Sequence, residues 1–185
     1  MEYCLFCLHN KEIDKHRADL VNHIYKKFGL KHTKKANNFA HFTLKYKFKA
    51  NKKQLEELKT IILKFTKTQN KEKIKVGGFD NFRKKVIFVK VSQSPKVKKL
   101  ISDLHKELRK LKWLTWHNNI EENGIHLHTT ITEECNEKLY SEIMKFLKGK
   151  EKYFDSYFDN ITIMKYSTAK KPTRRCVIEK RYNLF

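Results

Sequence analysis

Ala40-His41-Phe42-Thr43-Leu44-Lys45-Tyr46-Lys47-Phe48 and Ile125-His126-Leu127-His128-Thr129-Thr130-Ile131-Thr132 are the two stretches on which the reading of this chain turns. The first alternates polar and apolar residues, the signature of a strand with one buried face. Side chains point alternately to the two faces of a strand, so His41, Thr43 and Lys45 are expected to share one face. Phe42, Leu44, Tyr46 and Phe48 then share the other. In the second stretch His128 and Thr130 lie on one face, with Leu127, Thr129 and Ile131 opposite. Each stretch offers an imidazole and a hydroxyl, two residues apart, on a polar face backed by core. One His-x-Thr arises easily by chance in a chain with nine histidines. Two copies in the same inward–outward phase do not.

The segments around these stretches repeat as well. Upstream of the first, Tyr3 to His9 reads as a buried strand, and Ile13, Leu20, Ile24 and Phe28 mark a helix face that Gly29 stops. Downstream, Leu55, Leu58, Ile62 and Phe65 mark a second helix. Lys73 to Phe79 forms a third strand, whose Gly77-Gly78 pair suggests a bulge or a close backbone approach. The pattern then restarts with a strand over Lys85 to Val91, introduced by Asn81-Phe82-Arg83. A helix opened by Ser94-Pro95 follows, with Val97, Leu100, Ile101, Leu104, Leu108 and Leu111 as its apolar stripe. After the second motif strand come a helix on Leu139, Ile143, Phe146 and Leu147, and strands over Ile161 to Tyr166 and Arg175 to Tyr182.

Both halves thus run strand, helix, strand, helix, strand, and an offset of 87 residues carries His41 onto His128. The expected fold is α+β: a bilobal, pseudo-twofold duplicated fold, with two antiparallel-type sheets flanking a central cleft and helices outside. No Pro- or Gly-rich linker separates the halves. A single domain over residues 1–185 is expected, with lobes of about 1–80 and 81–185 and the chain free to cross between them.

Forty-two Lys and Arg against 20 Asp and Glu give a net charge of +22 and a field that attracts polyanions, nucleic acid above all. The excess is mostly lysine spread along the whole chain, so a compositional bias accounts for it equally well. Met1 to Leu8 has too short an apolar run and no basic leader to act as a signal peptide. No stretch approaches the roughly eighteen apolar residues that cross a bilayer. A cytoplasmic protein, with no membrane partner and no obligate protein partner, is the default expectation. Cys4, Cys7, Cys135 and Cys176 fit reduced thiols better than a disulfide framework.

Cleaving a phosphodiester, or opening a cyclic phosphate, requires a base on the attacking oxygen and an acid on the leaving one. Imidazole, with an unperturbed pKa near 6.5, serves either purpose at neutral pH. Hydroxyls of Thr43 and Thr130 can hold the non-bridging oxygens as charge develops. His41, Thr43, His128 and Thr130 are therefore the candidate catalytic residues. No metal and no cofactor is expected. Cys4-x-x-Cys7 places its thiols on opposite strand faces, and the His126-x-His128 pair lacks a third ligand at convincing spacing.

His41-Phe42-Thr43-Leu44 and His128-Thr129-Thr130-Ile131 resemble the paired His-x-Thr-hydrophobic signature of the 2H phosphoesterase superfamily. The likeness is greatest to the 2′-5′ RNA ligase and RNA 2′,3′-cyclic phosphodiesterase branch. It extends over nearly the whole chain, through Lys45 and Tyr46 after the first motif, and through Gly78-Phe79, Phe82 and the strand Val86 to Val91 between the lobes. It implies a site between two lobes that hydrolyses 2′,3′-cyclic phosphate ends of RNA to 2′-phosphate, ligation being the same chemistry reversed. It also implies that His128 activates water and His41 protonates the departing ribose oxygen. The second motif departs from the family's pattern. No proline precedes His128, and Thr132-Glu133-Glu134 stands where a basic residue is common.

The expected partner is RNA or an oligonucleotide bearing a cyclic phosphate or a 2′-5′ linkage. Lys45, Tyr46, His126, Arg83, Tyr166 and Arg174 are the candidate substrate-binding residues. Arg174 lies in the basic run Lys170-Lys171-Pro172-Thr173-Arg174-Arg175, which reads equally as a solvated loop. Trp113 and Trp116, with His117, either stack on a base or pack under the connection to the second motif. Two other functions remain open: degradation of 2′-5′-linked or cyclic oligonucleotides by the same residues, and RNA binding without catalysis.

Overall fold

Short polar side chains set the start of each helix in the computed structural model, which describes residues 1–30, 39–116, 126–133, 135–166 and 176–185. The Asn10 carboxamide accepts from the Ile13 N–H to open α1 (Lys11–Phe28), and Gly29, at φ 68°, closes it in the left-handed conformation. Asn51 and Gln54 form a reciprocal capping box at α2 (Lys52–Thr66). The Ser94 hydroxyl accepts from the Val97 N–H at α3 (Pro95–Leu108), and Asn136 accepts from Leu139 at α4 (Glu137–Leu147). No helix among the described residues is long and apolar enough to cross a membrane.

The strands are β1 (Glu2–Leu8), β2 (His41–Lys49), β3 (Glu72–Phe82), β4 (Val86–Val91), β5 (His128–Thr132), β6 (Tyr153–Phe158), β7 (Asn160–Tyr166) and β8 (Cys176–Asn183). They form two four-stranded sheets, ordered β2-β1-β7-β8 and β5-β4-β3-β6, and every pairing is antiparallel. The α+β, two-sheet architecture expected from the motif repeat is what the chain adopts. The sheets match position by position: β1 and β4 sit beside the motif strands β2 and β5, which are both edge strands. The third strand of each half crosses over. β3 joins the second sheet and β7 the first, so a cut near residue 80 does not separate the two sheets.

β6 has no counterpart among the strands expected from the sequence. Only Ser156 and Phe158 in Tyr153-Phe154-Asp155-Ser156-Tyr157-Phe158 are buried, and Asp155 and Ser156 have poor strand propensity. This edge strand exists because β3 offers it a partner, pairing Glu72 with Phe158 through to Gly77 with Tyr153.

Helix stripes and inner sheet faces share one core that includes Ile13, Leu20, Ile24, Phe42, Leu44, Leu58, Val89, Leu104, Ile131 and Phe158. A smaller cluster of Cys4, Phe6, Leu8, Met164 and Cys176 lies on the other face of the first sheet. Cys4 and Cys7 accordingly belong to different clusters, as the strand alternation requires. All four cysteines are buried, and none is joined in a disulfide.

The alternation fails at Lys45. Phe6 pairs with Thr43 but Leu5 pairs with Lys45, so β2 carries an extra residue there. Such a bulge moves the following side chain off its expected face. Lys45 leaves the face of His41 and Thr43 and is 0% exposed. Its ammonium lies 4.8 Å from the Trp116 ring centroid and 5.9 Å from that of Phe48. A second register shift lies between Tyr3 and Leu5, and past it Lys47 reaches over the ring of Tyr166 at 4.3 Å. The expected sharing of a face by His41, Thr43 and Lys45 is therefore wrong for Lys45.

The expected irregularity at Gly77-Gly78 is present as a register shift between Val76 and Phe79, with Gly78 at φ 69°. The β3–β4 turn places Arg83 and Lys84 at φ 50° and 55°, where side chains are strained. Lys84→Gly should stabilise the fold by about 1 kcal/mol. A higher midpoint of urea unfolding with an unchanged slope is the expected reading.

Candidate active site

The two edge strands β2 and β5 lie against each other, although they belong to different sheets. This contact brings the His-x-Thr motifs together. On each strand the partners behind the motif are equivalent. Phe6 of β1 pairs with Thr43 and Leu8 with His41, while Phe88 of β4 pairs with Thr130 and Lys90 with His128. The His41 ring stacks on Phe6 at 3.6 Å between centroids and 13° between planes. His128 packs against Phe88 at 5.0 Å and meets Phe82 edge-on at 4.8 Å. Each imidazole thus rests on an aromatic ring of the neighbouring strand.

Both imidazoles are also fixed by the same hydrogen bond. His41 Nδ1 lies 2.7 Å from the Phe39 carbonyl, and His128 Nδ1 lies 2.7 Å from the His126 carbonyl. A carbonyl oxygen can only accept, so Nδ1 carries the proton in each ring. Nε2 is left as the basic nitrogen of both neutral imidazoles. Thr43 and Thr130 are half-buried beside them, and no hydrogen bond among the described residues occupies either hydroxyl.

Three polar contacts, two buried and one partly buried, hold the motif strands in place. His9 Nε2 meets the Thr129 hydroxyl at 2.7 Å, linking the end of β1 to β5. Arg17 of α1 donates from Nε to the Thr130 carbonyl at 2.8 Å. From the other lobe, His105 Nε2 of α3 donates to the Leu44 carbonyl of β2 at 2.8 Å. Leaving such a buried group unpaired costs roughly 1–3 kcal/mol, which makes these contacts effective spacers. The sequence reading did not single out Arg17 or His105. Arg17 carried a signal, an arginine on the apolar stripe between Ile13 and Leu20. Phe6 and Phe88 were legible only by aligning the first strands of the two halves.

Burial sets the electrostatics. It pushes His41 down to about 3, opposed by the bond to Phe39 and aided by the Arg17 cation and by the repulsion that a proton on His41 would meet from protonated His9 or His128. His128 is also lowered, by burial first and then by His126, against the bond to the His126 carbonyl. His9 is pushed down to about 4 by burial and Arg17, and its Nδ1 has no hydrogen-bond partner among the described residues. Glu133 and Asp14 place negative charge near Arg17.

The remaining sequence candidates are dispersed. His126 is exposed beside His128, with ring centroids 6.2 Å apart, and packs on Phe82 and Phe88. Arg83 is at the exposed tip of the β3–β4 turn next to Phe82. Tyr166 packs against the small cluster that contains Phe6, with Lys47 over its ring, and Tyr46 is exposed. Lys45 is sealed away from this face. Trp113 donates to Glu57 at 2.9 Å and packs near Phe48, while Trp116 lies between Arg109 and His105, so both are packing residues. Arg174, His117 and the run 170–175 lie outside the described residues.

Histidines whose folded pKa lies below the unfolded value near 6.5 leave stability intact above that value. As pH falls below 6.5 the unfolded chain gains protons that the folded chain resists, and stability is lost toward pH 3–4, the range set by His41 and His9. The thermal midpoint should therefore fall between pH 7 and 4. His9→Gln, which cannot titrate, should flatten that fall. Separately, Arg17→Met should raise the His41 pKa, read by NMR titration of its ring protons.

The sequence profile of the 2′-5′ RNA ligase superfamily matches residues 12–170. A sequence search of curated proteins finds no match. Among solved structures, E. coli LigT in complex with 3′-AMP is similar with a TM-score of 0.68 and 14% identity, over 99% of this chain and 97% of that one. A crystal structure described as a phosphoesterase matches with a TM-score of 0.62 and 12% identity, over 99% and 98% of the two chains. A protein of Thermus thermophilus matches at 0.60 and 12% identity, over 100% and 98%. The likeness in structure extends over the whole fold, and the match in sequence includes both motif strands: this chain belongs to the 2′-5′ RNA ligase superfamily of 2H phosphoesterases.

Proposed function

We propose that this protein hydrolyses the 2′,3′-cyclic phosphate at an RNA end to a 2′-phosphate, with His41 and His128 as acid and base. The observation that carries this reading is the shared tether of the two imidazoles. Each is held through Nδ1 by the carbonyl two residues before it, on abutting edge strands, with Nε2 left over for proton transfer. Water attacks phosphorus as His128 Nε2 takes its proton. The bond from phosphorus to O3′ breaks, and His41 delivers a proton to that oxygen. Thr43 and Thr130 hydroxyls donate to the non-bridging oxygens, whose charge grows as the fifth bond forms.

The division of roles follows the family resemblance, in which the imidazole of the second motif activates water. Burial lowers both imidazoles, His41 to about 3, so the bound phosphate anion must raise His41 before it can serve as the acid. RNA as substrate fits the net charge of +22. LigT binds 3′-AMP in its crystal structure, and a nucleoside phosphate is the ligand class we carry over to this chain. His126, Arg83 and Tyr166 are retained as proposed neighbours of the substrate, and Arg174 as a proposed phosphate contact.

RNA ending in a 2′,3′-cyclic phosphate, incubated with the protein in the presence of a chelator, should yield a 2′-phosphate. His41→Ala and His128→Ala should each lower turnover by about a hundred- to ten-thousandfold while largely keeping affinity for the product. Wild-type turnover in both variants contradicts the mechanism.

The pH dependence of binding follows from the same residues. Both imidazoles are neutral in the free protein at pH 7, because both pKa values are lowered. An anionic phosphate between them favours the protonated form, so binding takes up a proton. Affinity for a 2′-phosphorylated RNA end should rise as pH falls from 8 to 6, and calorimetry in buffers of different ionisation enthalpy should show the uptake.

A further inference from the structure

The row of residues that begins at His128 continues across the second sheet. His128 pairs with Lys90 on β4, and Lys90 shares a face with Phe88, which packs against the His128 ring. On β3 two residues, Gly77 and Gly78, oppose Lys90, because Val76 pairs with Val91 and Phe79 with Val89. Gly77 in turn pairs with Tyr153 on β6. The lateral order from the motif outward is imidazole, ammonium, bare backbone, phenol.

The glycines are bare because the tyrosine occupies their space. A methyl group at Gly77 would fall 2.6 Å from Tyr153 Cδ1 and 2.5 Å from the Lys152 carbonyl oxygen. One at Gly78 would lie 3.0 Å from Lys90 Cε and 3.2 Å from the Tyr153 hydroxyl. The Tyr153 side chain therefore runs along the glycine backbone toward Lys90. It does so while 74% exposed, and Lys90 is exposed as well. Strands are spaced about 4.8 Å apart, so Lys90 lies about 5 Å and the Tyr153 ring about 10 Å along the row from His128. That is the reach of the next nucleotide of a single strand.

We propose that Lys90 and Tyr153 form a nucleotide subsite beside the reacting phosphate, with Lys90 meeting the phosphodiester of the preceding nucleotide and Tyr153 stacking on its base. This rests on the reaction proposed above and narrows its substrate class to oligonucleotide ends rather than mononucleotides. An aromatic platform beside a cation is the combination that binds single strands without regard to sequence. Glycines at 77 and 78 let the ring lie flat, and they complete the platform.

The test measures binding by calorimetry, independent of turnover, for a trinucleotide ending in a 2′-phosphate and for a nucleoside 2′-phosphate. Tyr153→Leu still covers the glycines but cannot stack, and should weaken trinucleotide binding about tenfold, with a smaller loss for the nucleoside phosphate. Tyr153→Phe should keep most of the affinity. Lys90→Gln should lower the salt dependence of trinucleotide binding by about one counterion. Trinucleotide affinity unchanged in Tyr153→Leu, or an equal loss for both ligands, overturns the subsite. If wild-type protein fails to turn over a cyclic phosphate but this binding pattern holds, the proposed reaction falls and the subsite stands.

Discussion

Two edge strands from different sheets lie side by side, and the placement of the two motifs depends on that alignment. Three hydrogen bonds that are buried or partly buried tie them to their neighbours across the lobes. His9 to Thr129, Arg17 to the Thr130 carbonyl and His105 to the Leu44 carbonyl each join elements more than sixty residues apart. Apolar packing alone is non-directional and would tolerate sliding of β2 along β5. A hydrogen bond to a particular carbonyl does not, since a slip of one residue would orphan a buried donor or acceptor. The seam thus converts a hydrophobic contact between lobes into a fixed distance between the two motifs.

The seam also sets the chemistry. The desolvation that fixes these contacts lowers the pKa of His9, His41 and His128 together, and the Arg17 cation deepens the effect at His9 and His41. Imidazoles held neutral in this way are poised to respond to an anion. In the proposed reaction, a bound phosphate would supply the field that lets one proton enter and leaves the second ring as base. Glu133 fits the same picture. Where the family resemblance leads one to look for a basic residue after the second motif, this chain has a carboxylate whose charge acts on Arg17.

The motif pair, the duplicated order of elements and the two-sheet architecture were legible in the sequence because each rests on local periodicity. Ala40 to Phe48 alternates, and alternation reports which residues share a face as long as the ladder is regular. Lys45 marks the limit of that rule. The extra residue opposite Leu5 leaves no trace in the alternation, yet it moves the lysine from the cleft face into the core against Trp116. β6 was hidden for another reason: an edge strand with two buried residues is defined by its neighbour β3 rather than by its own pattern. The crossing of β3 and β7 between sheets was likewise beyond local signals, since pairing partners are a property of the whole chain. The polar seam was half visible. Arg17 stands out on an apolar stripe, but nothing local says that it reaches Thr130.

The central claim is that His41 and His128 act as one acid–base unit rather than as two independent contributors. The double variant His41→Ala/His128→Ala, compared with each single variant on RNA ending in a 2′,3′-cyclic phosphate, tests this directly. Groups that work as a unit are strongly non-additive, so the double variant should lose little more turnover than the more damaging single one. Losses that multiply would contradict the account.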